Sequence, residues 1–324
     1  MNVENDAIPR HDAVLFLPRL RVQNANAISS PMTWGFPAIS AFLGAMTALE
    51  RKLGPNSGIR LLRVGVICHG HEAQITTGGY TRAFRLTRNP VKKNGDTAAI
   101  VEEGRIHLDI SLIFDVQIAS WHVGLEAQQA LAEQVLHQLE GMRVAGGSLV
   151  PPRQGRRKQP RLALQGEVKF RELARQCLPG FALVARDDLL QGHWQTLKET
   201  QPEATLLDAW LDLSRLNHRA IRQPEPNEAD EPTVQWQTDS RDGWIVPIPV
   251  GYAPLTELYL AGHVAGARDR ETPFRFVETV WSLGQWISPH RLQDWEQIFW
   301  EAQTEGPAQA PILYRCTNGN IANN

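Results

Sequence analysis

The 324-residue sequence lacks the features that mark several large classes of protein. It has only three cysteines, Cys68, Cys177 and Cys316, and they lie far apart. An odd number of widely spaced cysteines argues against a disulfide framework and predicts a reduced, cytoplasmic chain. No apolar run approaches the ~20 residues that a membrane-spanning helix needs, so we expect no membrane partner. The first twelve residues, MNVENDAIPRHD, do not have the pattern of a signal peptide.

The common nucleotide-binding and hydrolase motifs are also missing. The sequence contains no Walker loop, no GxSxG and no GxGxxG. The formal net charge of −2 argues against a free-standing nucleic-acid binder. The charge is nevertheless uneven: residues 153–175 hold eight basic and two acidic residues, whereas residues 224–242 hold six acidic and one basic. Such a chain can hold a polyanion at one arm and a basic partner at the other, although each segment can equally be a solvated loop.

What the sequence does contain is organised around residues 13–53, which read as strand, polar loop and helix. The apolar run 13–17 predicts a buried strand, and Pro18 then predicts an edge or a bulge. The predicted helix begins between Pro37 and Ser40 and ends at Gly54-Pro55. After Pro18, three polar side chains alternate with apolar ones, which places them on one face of the continuing strand: Arg19, Arg21 and Gln23.

Short polar side chains fill the loop that follows this strand, namely Asn24, Asn26, Ser29 and Ser30. They can cap the loop backbone, or they can form a binding edge for a strand-like polar ligand such as RNA. Trp34 follows them. An aromatic residue there is suited either to the core or to stacking on a base.

The remaining periodicity completes a β-α-β-β-α-β order within residues 13–150. That order predicts an α+β fold of the ferredoxin-like kind, which RNA-recognition domains share. Arginines between about 77 and 104 are interleaved with Tyr80 and Phe84, which predicts a projecting basic hairpin able to pair phosphates and stack on bases, or one that is merely salt-bridged. The other predicted elements are a strand over 60–76, a strand over 105–119, a helix over 124–142 and a short strand at 149–150.

The sequence predicts four segments. They are a flexible tail (1–12), the α+β domain (13–150), a basic arm and helical segment (151–222), and an acidic linker with a C-terminal portion that packs on the body (223–324). Within the last two we expect a short strand over 182–185, helix over 187–218, and an edge strand over 244–252 because Pro247 and Pro249 interrupt it.

Candidate catalytic groups are few. His69 and His71 are two apart on a strand, so they could share a metal or serve an RNA nuclease together with His107, but histidines at the end of an apolar strand are commonly structural. Glu102, Glu103 and Asp109 could form an acid/base set, or could be solvated and paired to arginines. No further metal ligand follows at a useful spacing, and Cys68 alone is expected to be inert.

Several longer runs carry a resemblance to a known family. These runs are LPRLRVQNANAISSPMTWGFP, LTRNP, TAAIVEEGR, MRVAGGS, LPGFALV, GWIVPIPVGY, ARDRETPFRFVE and ISPHR. Together, and in this order, they resemble the Csy-type subunit that caps the 5′ end of the guide RNA in type I-F CRISPR surveillance complexes, within the RAMP superfamily. The resemblance covers the tail, residues 153–165 and residues 223–242 poorly.

The resemblance implies a non-catalytic RNA-binding subunit with no cofactor and no metal. It implies a modified RNA-recognition fold with an inserted thumb-like hairpin, and it implies that the chain holds the repeat-derived 5′ handle of the guide RNA. The implied protein partners are the large subunit that reads the PAM and the first backbone subunit, with target DNA nearby. The alternatives that the residues leave open are a ribonuclease that uses His69 and His71, and a scaffold that touches only protein.

The resemblance also implies a set of RNA-facing residues. We expect arginines to pair phosphates, Asn and Gln to bond base edges, Trp34 to stack, and the Gly-Gly-Ser turn to bring backbone N–H groups close to phosphate. The predicted RNA-binding residues are Arg19, Arg21, Gln23, Asn24, Asn26, Ser30, Trp34, Arg88, Asn89, Arg143, Gly146, Gly147, Ser148, Arg268 and Arg275.

Overall fold

The computed structural model describes residues 9–79, 81–88, 91–92, 94–97, 99–151, 159–222, 234–267, 269–306 and 313–319. Two predicted RNA-binding residues, Asn89 and Arg268, lie outside the described residues. So do the predicted tail up to residue 8, residues 152–158 of the basic arm, and residues 223–233 of the acidic linker.

The described residues form a mixed α/β structure with five α-helices and nineteen strands. The helices are α1 (Ile39–Leu53), α2 (Leu125–Glu140), α3 (Phe170–Gln176), α4 (Asp187–Thr200) and α5 (Leu206–Ser214). The first ten strands are β1 (Arg10–Asn26), β2 (Ile28–Ser30), β3 (Thr33–Trp34), β4 (Ile59–Ala73), β5 (Ile75–Gly78), β6 (Thr81–Phe84), β7 (Leu86–Arg88), β8 (Ile100–Glu102), β9 (Arg105–Ala119) and β10 (Arg143–Val144). The others are β11 (Gly147–Val150), β12 (Arg161–Leu164), β13 (Phe181–Ala185), β14 (His218–Arg222), β15 (Val234–Thr238), β16 (Trp244–Pro254), β17 (Val277–Ile287), β18 (Trp300–Glu305) and β19 (Leu313–Asn318). None of the helices in this described part has the length and apolar content to cross a membrane.

The predicted β-α-β-β-α-β order is present in the first 150 residues. Strands β11, β1, β9 and β4 lie side by side in that order, and each neighbouring pair is antiparallel. Helix α1 begins at Ile39, two residues after Pro37, and is closed by the backbone of Gly54, as the predicted start and stop indicate. The predicted basic hairpin is present as two short ladders, β5 with β6 and β7 with β8.

The sheet is covered differently on its two faces. On one face, here called the inner face, alternate residues of β1 such as Leu15, Leu20 and Val22 join a core with α1 and α2. On the opposite, outer face, Val14 and Phe16 join a second core with α3 and residues 292–299. This second core reaches the half of β1 that precedes Pro18 and does not extend to the half that follows it. The later half of β1 therefore lies on an uncovered part of the outer face.

The C-terminal strands continue the same sheet. Beyond β4 the order is β13, β17, β16, β19 and β18, and the Trp300–Val64 pair brings β18 back against β4. Trp300 is completely buried, and its indole N–H donates to the Leu183 carbonyl at 2.8 Å. Asn318 is also buried, and its amide donates to the Phe299 carbonyl at 2.8 Å. The C-terminal strands thus close onto the strands of the first half.

Three local predictions need correction. The predicted helix over 187–218 is two helices, because Thr205 and Asp208 form a capping box that starts α5 anew, and the segment ends in β14. Residues 234–238 of the predicted acidic linker form β15, which pairs with β14. Strand β16 is an edge only in part: its prolines lie where it pairs with β17 alone, whereas Gly251 and Tyr252 also pair with β19.

A charged cluster ties the C-terminal part to the central sheet. Arg63 on β4 donates from Nε to the buried Asp115 on β9 at 2.7 Å and from its terminal nitrogens to Glu296. Gln165 donates to the other oxygen of Asp115 at 3.1 Å, and the guanidinium lies 5.1 Å from the centre of the Phe299 ring. Burial raises the pKa of Asp115, and the bond from Arg63 opposes that rise. The same arginine lowers the pKa of Glu296. Arg63 is therefore the group that permits a charged Asp115 in the core.

We expect Arg63→Met to destabilise the fold by about 3–5 kcal/mol, because it leaves the buried Asp115 carboxylate without its cation. Urea denaturation of the full chain measures this loss. Arg60→Met is the matched control, since Arg60 is an exposed arginine on the same strand. A loss below about 1 kcal/mol for Arg63→Met would contradict the assigned role.

Candidate nucleic-acid interface

Two bulges shape the half of β1 that carries the predicted RNA-binding residues. The pairing of β1 with β9 shifts between Leu17 and Leu20 and again between Val22 and Ala25. The first shift confirms the bulge predicted at Pro18. Arg19 and Asn24 lie within the shifted stretches and adopt left-handed backbone angles, with φ of 52° and 58°. Such conformations are uncommon for non-glycine residues and are enriched at functional sites.

Polar side chains from three adjacent strands meet on the uncovered part of the outer face. Arg21 pairs in register with Asp109 on β9, and Gln23 pairs with Ser148 on β11. Directly opposite residues of antiparallel strands share a face, so these four side chains lie together. His107 joins them, because its Nδ1 accepts from the backbone N–H of Asn24 at 3.1 Å. We refer to Arg21, Gln23, Asn24, His107, Asp109 and Ser148 as the outer-face site.

The site combines exposed acceptors and donors with a fixed arginine. Gln23, Asn24 and Ser148 are exposed, whereas Arg21 is half-buried. Arg21 donates to the Pro151 carbonyl at 2.8 Å, which holds its guanidinium at the margin of the sheet. The geometry offers hydrogen bonds of both kinds beside the Arg21 guanidinium and the Asp109 carboxylate, which suits a polar chain laid across the strands.

Arg19 lies beside the site and holds a turn. Its guanidinium makes long contacts to Asp109 at 3.4 Å and to the carbonyls of Leu178 and Pro179 at 3.5 and 3.4 Å. Its backbone N–H donates to the Ser111 hydroxyl at 3.0 Å. Arg19 thus connects the bulge of β1 to the 178–179 turn.

Two other predicted contact residues are engaged within their own loop. The Asn26 amide closes a turn with the backbone of Ile28, through bonds of 2.7 and 3.1 Å. Ser30 is buried, and its hydroxyl meets the backbone N–H of Thr33 and the indole N–H of Trp281 at 3.1 and 3.0 Å. Asn26 and Ser30 therefore bond the loop backbone, as one of the two interpretations of the sequence predicts. The Asn24 side chain, in contrast, is exposed.

The Gly-Gly-Ser turn requires its glycines. Gly146 has φ of 78°, and a Cβ added to Gly147 would lie 2.7 Å from the backbone of Gln23 and Ala25. Gly147 therefore lets β11 approach the bulged part of β1. Arg143 is exposed and donates to the Gly146 carbonyl at 3.1 Å, so it borders the turn.

The other predicted residues do not belong to the outer-face site. Trp34 is 47% exposed and meets Phe84 of the hairpin edge-to-face, with ring centroids 5.7 Å apart. Arg88 lies in β7 of the hairpin. Arg275 is half-buried in the connection between β16 and β17. The structure thus brings together the β1 and β11 residues and leaves these three elsewhere.

Comparison with known proteins shows which family the chain is similar to. A family model described as CRISPR-associated protein (Cas_Csy2) matches residues 15–316. The CRISPR-associated protein Csy2 of Pseudomonas aeruginosa (strain UCBPP-PA14) is 48% identical over 306 residues, which cover 91% of this chain and 92% of that protein. The chain belongs to the Csy2 family of CRISPR-associated proteins. The resemblance inferred from the sequence to a Csy-type subunit is thereby confirmed.

In this member of the Csy2 family, hydrogen bonds within the protein hold His69, which the sequence indicates together with His71 as a catalytic or metal-binding candidate. His69 Nδ1–H donates to the Pro179 carbonyl at 2.7 Å, and Nε2 accepts from the Ser111 hydroxyl at 2.7 Å. That hydroxyl accepts from the Arg19 backbone, so one chain of bonds links β1, β9, β4 and the 178–179 turn. Within the described residues, no three His, Cys, Asp or Glu side chains are grouped as metal ligands would be.

One acid group and one thiol complete the inventory of sequence candidates. Glu103 pairs with Arg105 at 2.7 Å, as the salt-bridged interpretation predicts. Burial raises the pKa of the Cys68 thiol to about 11, which keeps it in the unreactive thiol form at neutral pH.

Sequence reasoning did not identify two groups of residues near the site. His107 was considered only as a nuclease residue, and its bond to the Asn24 backbone depends on a bulge whose position periodicity does not fix. Phe181 and Trp244 are separated by more than sixty residues in the sequence, yet their rings lie 5.7 Å apart. No local pattern predicts that β13 and β16 bring these rings together.

We expect His69→Ala to lower the free energy of unfolding by about 1–3 kcal/mol, because it removes the acceptor of the Ser111 hydroxyl proton and the short bond to the Pro179 carbonyl. His71→Ala is the control: the His71 side chain is exposed, and its loss should cost no more than about 0.5 kcal/mol. Urea denaturation distinguishes the two variants. Equal stability of both would show that the His69 bonds do not hold the turn.

Proposed function

We propose that this chain is the subunit that holds the repeat-derived 5′ handle of the guide RNA in a type I-F CRISPR complex. The observation that carries the proposal is the outer-face site, where hydrogen-bonding side chains of β1, β9 and β11 lie on an uncovered sheet face. RNA-recognition sheets bind single-stranded RNA across such a face. Membership of a CRISPR-associated family supplies the biological setting in which an RNA ligand is expected.

We also propose that the fold is ferredoxin-like and related to the RAMP proteins. Strands β11, β1, β9 and β4 are antiparallel neighbours, and α1 and α2 cover one face. In the order of their occurrence these strands are the fourth, first, third and second, which is the arrangement expected for a split β-α-β domain. The two-ladder hairpin of β5 to β8 is inserted between its second and third strands, as a thumb would be.

The proposed partners are the large PAM-reading subunit and the first backbone subunit, with target DNA nearby. The chain would act without catalysis, and the fixed state of His69 supports this over the ribonuclease alternative. A nuclease histidine must be able to exchange a proton with substrate, whereas both nitrogens of His69 already hold internal bonds.

The outer-face site predicts a specific effect of one arginine. We expect Arg21→Ala to weaken binding of the handle RNA about tenfold and to reduce the slope of log K against log[salt] by about 0.7, the value of one single-strand phosphate contact. Filter binding to the full chain in its complex, at several salt concentrations, measures both quantities.

The matched control for Arg21 is Arg60→Ala. Arg60 is an exposed arginine that pairs with Gln117, at the opposite end of the same sheet from Arg21. An equal loss of affinity in both variants would mean that only overall charge matters, and would refute a specific contact at the outer-face site.

The state of the bound RNA separates the proposal from its alternatives. We expect tagged protein, co-expressed with its neighbouring subunits and guide RNA, to retain RNA whose 5′ ends, found by sequencing, are identical for wild type and His71→Ala. RNA ends that depend on His71 would identify a nuclease. Partners recovered without RNA would identify a protein scaffold.

A further inference from the structure

A cleft of about 790 Å³ opens on the inner-face side, at the end of β4. Its floor includes the core residues Ile106 and Leu183. Three aromatic side chains on its walls remain about half exposed: Trp34 at 47%, Phe181 at 43% and Trp244 at 52%. Exposed aromatic rings grouped around one concave surface mark a binding site rather than scattered surface residues. We call this the aromatic cleft.

The walls come from separate parts of the chain. Trp34 follows the polar loop after β1 and leans against Phe84 of the hairpin, whereas Phe181 and Trp244 are on β13 and β16. Trp244 is backed by Trp286, with ring centroids 6.2 Å apart. Each of these rings therefore packs against a neighbouring ring and keeps part of its own surface exposed. Rigid aromatic rings of this kind bind flat partners with little loss of conformational entropy.

The only permanent charge among the described residues that line the cleft is positive. Arg82 of the hairpin and His71 of β4 line it and are exposed, and none of the described lining residues is acidic. Arg82 forms no ion pair with any residue in the part of the chain that the structure describes. An apolar protein side chain would cover the rings but would make no use of this cation. A nucleotide has both a flat face for the rings and a phosphate for the arginine.

We propose that the aromatic cleft receives an unstacked base of the guide-RNA handle, with its phosphate at Arg82. This inference rests on the proposed function, since it names a second place where the same RNA binds. Asn24 of the outer-face site and Trp34 of the cleft are joined by the nine residues 25–33, which leave the sheet at the end of β1. An RNA strand that follows this segment passes from the outer-face site to the cleft around the ends of β1, β9 and β4.

Base-analogue fluorescence tests the proposal in the assembled complex. Guide RNAs that carry 2-aminopurine at one handle position at a time are bound to the full chain with its neighbouring subunits. We expect strong quenching at one position, and recovery of that fluorescence in Phe181→Ala and Trp244→Ala. Loss of one base stack should weaken handle binding about 5- to 150-fold.

Two further variants keep the test informative if an aromatic variant is unstable. Arg82→Gln changes an exposed side chain and should weaken handle binding, with a smaller salt slope. Trp236→Ala is the matched control, because Trp236 is 69% exposed on β15 and does not line the cleft. Thermal melting of each variant shows whether the fold is retained.

The outcomes separate this inference from the function on which it rests. If folded cleft variants leave both quenching and affinity unchanged while Arg21→Ala still weakens binding, the cleft proposal is wrong and the outer-face proposal stands. If Arg21→Ala also has no effect, the proposed function fails as well. If cleft variants keep the RNA but lose a neighbouring subunit, the occupant is a protein side chain and the base is excluded.

Discussion

The unequal cover of the outer face is the constraint on which the rest of the structure depends. The inner faces of β1, β4 and β9 join one core with α1 and α2, whereas α3 and residues 292–299 cover the outer face only beside the first half of β1. β1 is therefore buried on both faces from residue 13 to Pro18 and half-exposed after it. A single 17-residue strand supplies both a two-sided core and the candidate outer-face site. The bulge at Pro18 lies at the boundary between the part of β1 that is buried on both faces and the part that is exposed on its outer face.

The same boundary explains why the polar residues near it differ in their roles. Arg19 and His69 lie where the cover ends, and they bond the 178–179 turn that closes the second core. Arg21, Gln23 and Asn24 lie beyond the turn, where no element covers them. Side chains of similar chemistry therefore differ in role according to position. Those beside the 178–179 turn bond to it, and those beyond it lie on the uncovered outer face. For these five residues, position relative to the covering turn, more than residue type, separates the structural groups from the candidate contacts; farther along the chain, Asn26 and Ser30 are again structural because they bond within their own loop.

Sequence alone predicts much of this fold, because the spacing of apolar residues and the positions of proline and glycine are local signals. The bounds of α1 follow from Pro37 and Gly54, and β9 follows from the alternation of Ile106 with His107. The addition of β13 and β16–β19 to the same sheet is not local, and the break before α5 depends on a capping box that a continuous leucine pattern conceals. Of the site, alternation predicts that Arg21 and Gln23 share a face. It does not predict the φ of Asn24, which arises only when β1 and β9 pair out of step.

The position of the aromatic cleft has a consequence for how a ligand can be held. The outer-face site and the cleft lie on opposite faces of one sheet, and that sheet packs into two cores and carries the Arg63 cluster. A compact ligand cannot occupy both. A flexible, single-stranded polymer can, because it bends around the strand ends and places its charges on one face and one base on the other. Each site alone would bind weakly, but two sites joined through one strand act at high effective concentration. The two proposed sites together would therefore select for an unpaired strand over a duplex, since a duplex neither bends so sharply nor releases a base without cost.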